Sequence, residues 1–145
     1  MQPIDVTVHS GGVALEGALS IPQRAEGIVL FAHGSRDPEW AQPFRQLKGL
    51  LHSRLPEHDI ELAFLESMPP TFEEAVARIA TGGKVQVTVA PLFLAQGGHL
   101  REDIPNLIAG ARTRHPELEF RQLPPLGEAP EVLEAIAAWI HDCQP

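Results

Sequence analysis

Gly27-Ile28-Val29-Leu30-Phe31-Ala32-His33-Gly34-Ser35-Arg36-Asp37-Pro38 is the stretch on which the reading of this chain turns. Ile28 to Ala32 is a continuous apolar run, the pattern of a strand buried on both faces. Asp37 and Pro38 then supply an N-cap and a first-turn proline. Trp40, Phe44, Leu47 and Leu51 follow at spacings that fall on one face of a helix. A buried strand that passes through a short polar turn into an amphipathic helix is the unit of a parallel α/β sheet.

The unit recurs. A second strand is expected at about Asp59 to Leu65, alternating enough for an edge. Thr71 and Glu74 form a capping box, and Phe72, Ala75, Val76 and Ile79 carry the next helix up to Gly82-Gly83. Val85 to Pro91 reads as the third strand, although Gln86 and Thr88 make it less uniformly apolar than a central strand should be. After a loop with Gly97-Gly98, a helix is expected from about Ile104 to His115, with Pro105 near its start. Leu118 to Leu123 is the fourth strand. Glu131 to His141 is the closing helix, expected to pack Val132, Leu133, Ile136 and Ile140, and both Trp40 and Trp139 are expected in the core. Four such units predict a three-layer, flavodoxin-like domain over 27–145, with a four-stranded parallel sheet in the order 2-1-3-4. Residues 1–26 differ in texture. Val6, Val8, Val13, Leu15, Leu19 and Ile21 alternate around Ser10-Gly11-Gly12, which predicts an appended β-hairpin.

Composition narrows the function. The 145 residues fit one domain. Eleven Lys and Arg against 19 Asp and Glu give a net charge of −8, which disfavours nucleic acid as a partner. The single cysteine, Cys143, can form neither an internal disulfide nor a thiolate metal cluster. No apolar run is long enough for a bilayer, and the first residues lack the pattern of a signal peptide, so a cytoplasmic location is expected.

In an open parallel sheet, ligands bind beyond the carboxyl ends of the strands, where strand order reverses. The loops there are His33-Gly34-Ser35-Arg36-Asp37, Glu66-Ser67, and Gly97-Gly98-His99-Leu100-Arg101-Glu102-Asp103. With strands one and three adjacent, His33 and His99 share a rim, with Glu66 nearby. Two imidazoles and a carboxylate suit divalent Co, Fe, Ni or Zn with coordination positions left open. No local pair such as His-x-x-x-His reinforces this.

Ala32-His33-Gly34-Ser35-Arg36, Ala63-Phe64-Leu65-Glu66, Ala90-Pro91-Leu92-Phe93-Leu94 and, most specifically, Gly97 through Pro105 resemble the sirohydrochlorin chelatases in their short, single-repeat CbiX-type form. The resemblance covers about Ile28 to Trp139. It implies a chelatase-like fold and insertion of Co²⁺, Fe²⁺ or Ni²⁺ into the tetrapyrrole sirohydrochlorin, on routes to cobalamin, sirohaem or a nickel cofactor. The ion is then a substrate, and no organic cofactor is implied. By the same resemblance His33 and His99 match the family's metal-handling histidines and Glu66 its acidic residue, as ligands and as catalytic groups. Short members look like half of the two-repeat chelatases and work as homodimers. The N-terminal hairpin departs from the short family pattern.

Insertion also requires removal of two macrocycle N–H protons, a task open to neutral imidazole or carboxylate. A polycarboxylate substrate must meet local cations on a chain of charge −8, and Arg36 and Arg101 flank the histidine segments. Ser35, Gly97 and Gly98 are further candidates for substrate contact. Against each stands a plainer role: a turn cap for Ser35, loop geometry for the glycines, surface ion pairs for the arginines. Two rival functions remain open. One is a non-catalytic metal or tetrapyrrole carrier. The other is a small α/β-hydrolase, which lacks here any Gly-x-Ser-x-Gly elbow.

Overall fold

The computed structural model describes residues 8–10, 13–15 and 25–145. Four strands form the main sheet: β1 Gly27–Ala32, β2 Asp59–Phe64, β3 Gln86–Pro91 and β4 Glu119–Gln122. Four α-helices follow them in turn: α1 Gln42–Arg54, α2 Phe72–Thr81, α3 Gly98–Arg114 and α4 Pro130–Asp142. The strands lie in the order β2-β1-β3-β4, all parallel, the predicted 2-1-3-4. In register, Ala32 stands opposite Phe64 and Phe31 opposite Pro91. The chain therefore leaves β1 toward one edge and returns across it to β3, and the crevice for a ligand lies where these two strands end.

Alternation along the strands sends side chains to two separate cores. Val29, Phe31, Val87 and Val89 pack under α2 and α3 with Val76, Ile79, Ile104 and Ile108. Leu30, Ala32, Ile60 and Leu62 face α1 with Trp40, Phe44, Leu47 and Leu51. Each fully buried side chain of this kind contributes about 1.5–3 kcal/mol. The helix starts follow their caps. Asp37 accepts from the Glu39 N–H at 3.0 Å and opens a short 3-10 turn, Pro38–Ala41, ahead of α1. Thr71 and Glu74 close a reciprocal capping box on α2.

Two expectations change, and one conflict in the sequence reading finds its explanation. α3 begins at Gly98, not near Ile104, so Pro105 lies inside the helix. Leu100, Ile104, Ile108 and Ala111 form one buried stripe, and burying Leu100 draws the preceding turn into the helix. Pro105 is the eighth residue of α3, so the helix forgoes the bond its N–H would make to the Arg101 carbonyl, and the buried stripe on either side of it holds the helix together there. The second change is at α4, which buries none of its residues. Trp139 is 67% exposed, and Leu133 and Ile140 are exposed too, so Trp139 is not core and, among the described residues, only Val132 and Ile136 of the expected face are half-buried. α4 leans chiefly on the 3-10 turn Leu126–Glu128. The conflict concerns the polar residues of β3. Thr88 is buried, donates its hydroxyl to Glu26 and accepts from Arg121, both at 3.3 Å. Thr88 and Gln86 line a cavity of about 230 Å³ with Glu26, Glu119 and Arg121, which accounts for polarity in a central strand.

Val8–Ser10 and Val13–Leu15 pair antiparallel in a small sheet of their own, Val8 opposite Leu15. The appended hairpin expected over 1–26 and its seating on the domain turn on residues outside the described ones.

Candidate functional site

Hydrogen bonding between β1 and β2 runs on past the strands. The Leu65 N–H donates to the Ala32 carbonyl at 2.9 Å, and the Glu66 N–H donates to the His33 carbonyl at 3.0 Å. His33 and Glu66 are thereby rooted side by side on one rim. On the other flank, the Leu92 N–H donates to the Phe31 carbonyl at 2.8 Å. His33 thus leaves the sheet between the loops that follow β2 and β3.

Gly34 makes the turn possible. Its φ is +92°, and a Cβ there would overlap the Glu66 carbonyl oxygen. Only glycine combines that backbone with that approach. The His33 side chain is exposed yet anchored. Its ring meets the Phe93 ring edge-on, centroids 4.7 Å apart at 79°. Phe93 is buried and packs edge-on against Phe31 at 5.9 Å, which does the same against Phe72 at 5.5 Å. A relay of edge-to-face contacts, worth about 0.5–1.5 kcal/mol each, ties the imidazole to the core.

His99 and Arg101 stand on the first turn of α3, exposed on either side of buried Leu100. Gly97 is the N-cap, and the Arg101 N–H bonds its carbonyl at 3.3 Å. A Cβ at Gly97 or Gly98 would meet nothing within 4 Å, and neither has a positive φ. Packing among the described residues does not require these two glycines. Their effect is to leave the amide end of α3 open to close approach. Among the described residues no group of three His, Cys, Asp or Glu converges on a possible metal position. Among the described residues, His33, Glu66 and His99 therefore do not close into a cage.

Arg36 and Arg101 are exposed and take part in no ion pair among the described residues. The Ser35 hydroxyl accepts from the Asp37 N–H at 3.1 Å, the turn-capping role, while its own N–H points at the Met68 sulfur at 3.4 Å. Sequence reasoning missed Phe93 as the support of His33. Its only signal was an apolar run continuing past Pro91. At the opposite end of the sheet, just before β2, His58 is buried with its Nδ1 unpartnered among the described residues. Desolvation pushes its pKa below 6.5, outweighing the opposing pull of Glu26.

Comparison with known proteins places these features in company. The CbiX family model matches residues 27–143. A protein of Saccharolobus solfataricus named sirohydrochlorin cobaltochelatase is 30% identical over 122 residues, covering 80% of this chain and 94% of the relative. One of the same name from Methanopyrus kandleri is 35% identical over 81 residues, 56% of this chain and 57% of its own length. For two relatives from Methanosarcina acetivorans and Methanococcoides burtonii the shares of their own length are 64% and 63%. These three are thus matched over less than two thirds of their length. Among solved structures, a putative cobalamin biosynthesis CbiX protein from Marinobacter aquaeolei superimposes with a TM-score of 0.72 at 32% identity, covering 81% of this chain and 95% of that one. The sirohydrochlorin chelatase SirB from Bacillus subtilis subspecies spizizenii, solved with cobalt, gives 0.71 at 28% identity. There 82% of this chain matches 51% of SirB.

Proposed function

The chain belongs to the CbiX family, and from that premise we propose that it inserts a divalent metal ion into sirohydrochlorin, toward cobalamin or sirohaem. One observation carries the reading: the 3.0 Å bond from Glu66 N–H to the His33 carbonyl, which roots an acidic residue next to the residue that carries an anchored, exposed imidazole. His33 and His99 hold the ion from two elements of the rim, with Glu66 beside His33. An incomplete ligand set suits an ion that must be handed on. Imidazole and carboxylate also serve to take up the two macrocycle protons as the metal enters. Arg36 and Arg101, without an ion pair among the described residues, meet the acid groups of the substrate. Gly97 and Gly98 let one of those groups approach the α3 amides, where the helix dipole favours an anion.

The inserted ion is Co²⁺, Fe²⁺ or Ni²⁺, and the relatives' names favour cobalt. A homodimer completes the site. This is supported by the match to about half of SirB and by the exposed apolar residues of α4, Leu133, Trp139 and Ile140, for which a second copy is the natural cover. Metallation of sirohydrochlorin by each ion, followed by absorbance, tests the reading. His33→Ala and His99→Ala should each lower the rate about 100-fold or more with little change in melting temperature. Wild-type turnover in the double variant overturns the assignment. Stoichiometric binding of ion and macrocycle without turnover replaces the chelatase with a carrier.

A further inference from the structure

The loop from Leu92 to Gly97 joins β3 to α3 and so sets where His99 stands relative to His33. Its start is pinned by the Leu92–Phe31 backbone bond and by the buried Phe93 ring. Its end is Gly97, with open space around it. The middle is unfavourable when viewed alone. Leu94 is 60% exposed, and Gln96 Nε2 is shut off from water with no hydrogen-bond partner among the described residues. An unpartnered buried donor favours rearrangement, so something outside the loop must hold it.

That support comes from the far end of the chain. The 3-10 turn Leu126–Glu128 stands directly against Leu94. A Cβ on Gly127 would overlap the Leu94 carbonyl oxygen and lie 2.8 Å from the carbonyl carbon. The obstacle is backbone, not a side chain that could rotate away. The turn is itself held: Glu128 N–H donates to Pro125 at 2.9 Å, Ala129 N–H to Leu126 at 3.1 Å, and Pro125 is buried.

We propose that Gly127 is a positioning residue of the site. By letting the Leu126–Glu128 turn press on the Leu94 backbone, it fixes the β3–α3 loop and, through it, the first turn of α3 that carries His99. The inference rests on the reading of His33 and His99 as the metal-handling pair.

Gly127→Ala in the 145-residue chain tests it, with Gly49→Ala on α1, where a Cβ meets nothing among the described residues, as the control. Misplacement of about 1 Å costs on the order of 100-fold in rate. The expected result is a fall in kcat of about 10–100-fold, with KM for sirohydrochlorin altered by less than about threefold. Amide exchange should accelerate at 93–98 while the core strands β1 and β3 keep their protection. Gly49→Ala, a helix-favouring change inside α1, should leave kcat and KM unchanged and should not accelerate exchange at 93–98. Unaltered exchange at 93–98, unaltered kcat despite a loosened loop, or protection lost equally in β1 and β3 would each overturn the proposal. If the wild type does not metallate sirohydrochlorin, the proposed function falls separately. Co²⁺ affinity, measured against a chromophoric chelator, then replaces kcat, and an affinity equal in wild type and Gly127→Ala overturns the role of Gly127.

Discussion

Replacing Gly34 by alanine tests whether the turn after β1 holds the site together. Two effects add. Alanine at a φ of +92° sits in a region that costs roughly 1–2 kcal/mol for a residue with a Cβ. The Cβ also collides with the Glu66 carbonyl, so the two loops must part. That strains the bond from Glu66 N–H to the His33 carbonyl, worth about 1 kcal/mol. A total of about 2–3 kcal/mol corresponds to a fall in Tm of about 10 °C for a domain of this size. Because the parting separates His33 from Glu66, metallation measured at 20 °C, where the variant remains folded, should fall about 100-fold. Gly83→Ala supplies the comparison. Gly83 has a φ of +82° but open space around it, so alanine there carries the backbone cost alone. It should lower Tm by less and leave metallation unchanged. If Gly34→Ala melts no lower than Gly83→Ala and metallates at the wild-type rate, the collision has no consequence and the reasoning fails.

Neutralising Arg36 and Arg101 together to Gln should weaken apparent sirohydrochlorin binding and flatten its salt dependence, while Co²⁺ binding stays constant. Exposed charges act within about 8 Å at physiological salt, so an unchanged salt slope would reduce both arginines to surface charges. Trp139→Glu should convert a dimer, read by light scattering, to a monomer of half the mass with reduced turnover; an unaltered dimer would remove α4 from the interface. His58 gives a pH dependence. Its folded pKa lies below 6.5 because burial disfavours the imidazolium, so the unfolded chain takes up a proton that the folded one refuses. Stability should fall as pH drops below about 6.5, and His58→Gln should flatten Tm over that interval. An identical pH profile in the variant would rule out this linkage.

Much of the architecture was legible along the chain because its signals are local. The Ile28–Ala32 run, the Asp37-Pro38 start and the Thr71/Glu74 box each depend on neighbours a few residues away, and each fell where the residues placed it. The edges that shifted did so for non-local reasons. Pro105 resembles a helix start to any local rule, and the core contact of Leu100 moves that start back to Gly98. α4 has an apolar stripe that any periodicity rule would bury, yet among the described residues nothing covers it fully. A stripe states that a face needs cover but not which surface supplies it.

For the site, the sequence by itself determined which side chains are available at the carboxyl ends of the strands, His33, Glu66, His99, Arg36 and Arg101, because alternation and capping locate loops. Only the tertiary structure decided how they are held. The relay Phe72–Phe31–Phe93–His33 joins residues from separate elements. The approaches of Gly34 to Glu66 and of Gly127 to Leu94 join backbones 32 and 33 residues apart. A glycine reads the same in any turn. What makes it irreplaceable is the atom packed against it, and that atom is supplied by the folded chain.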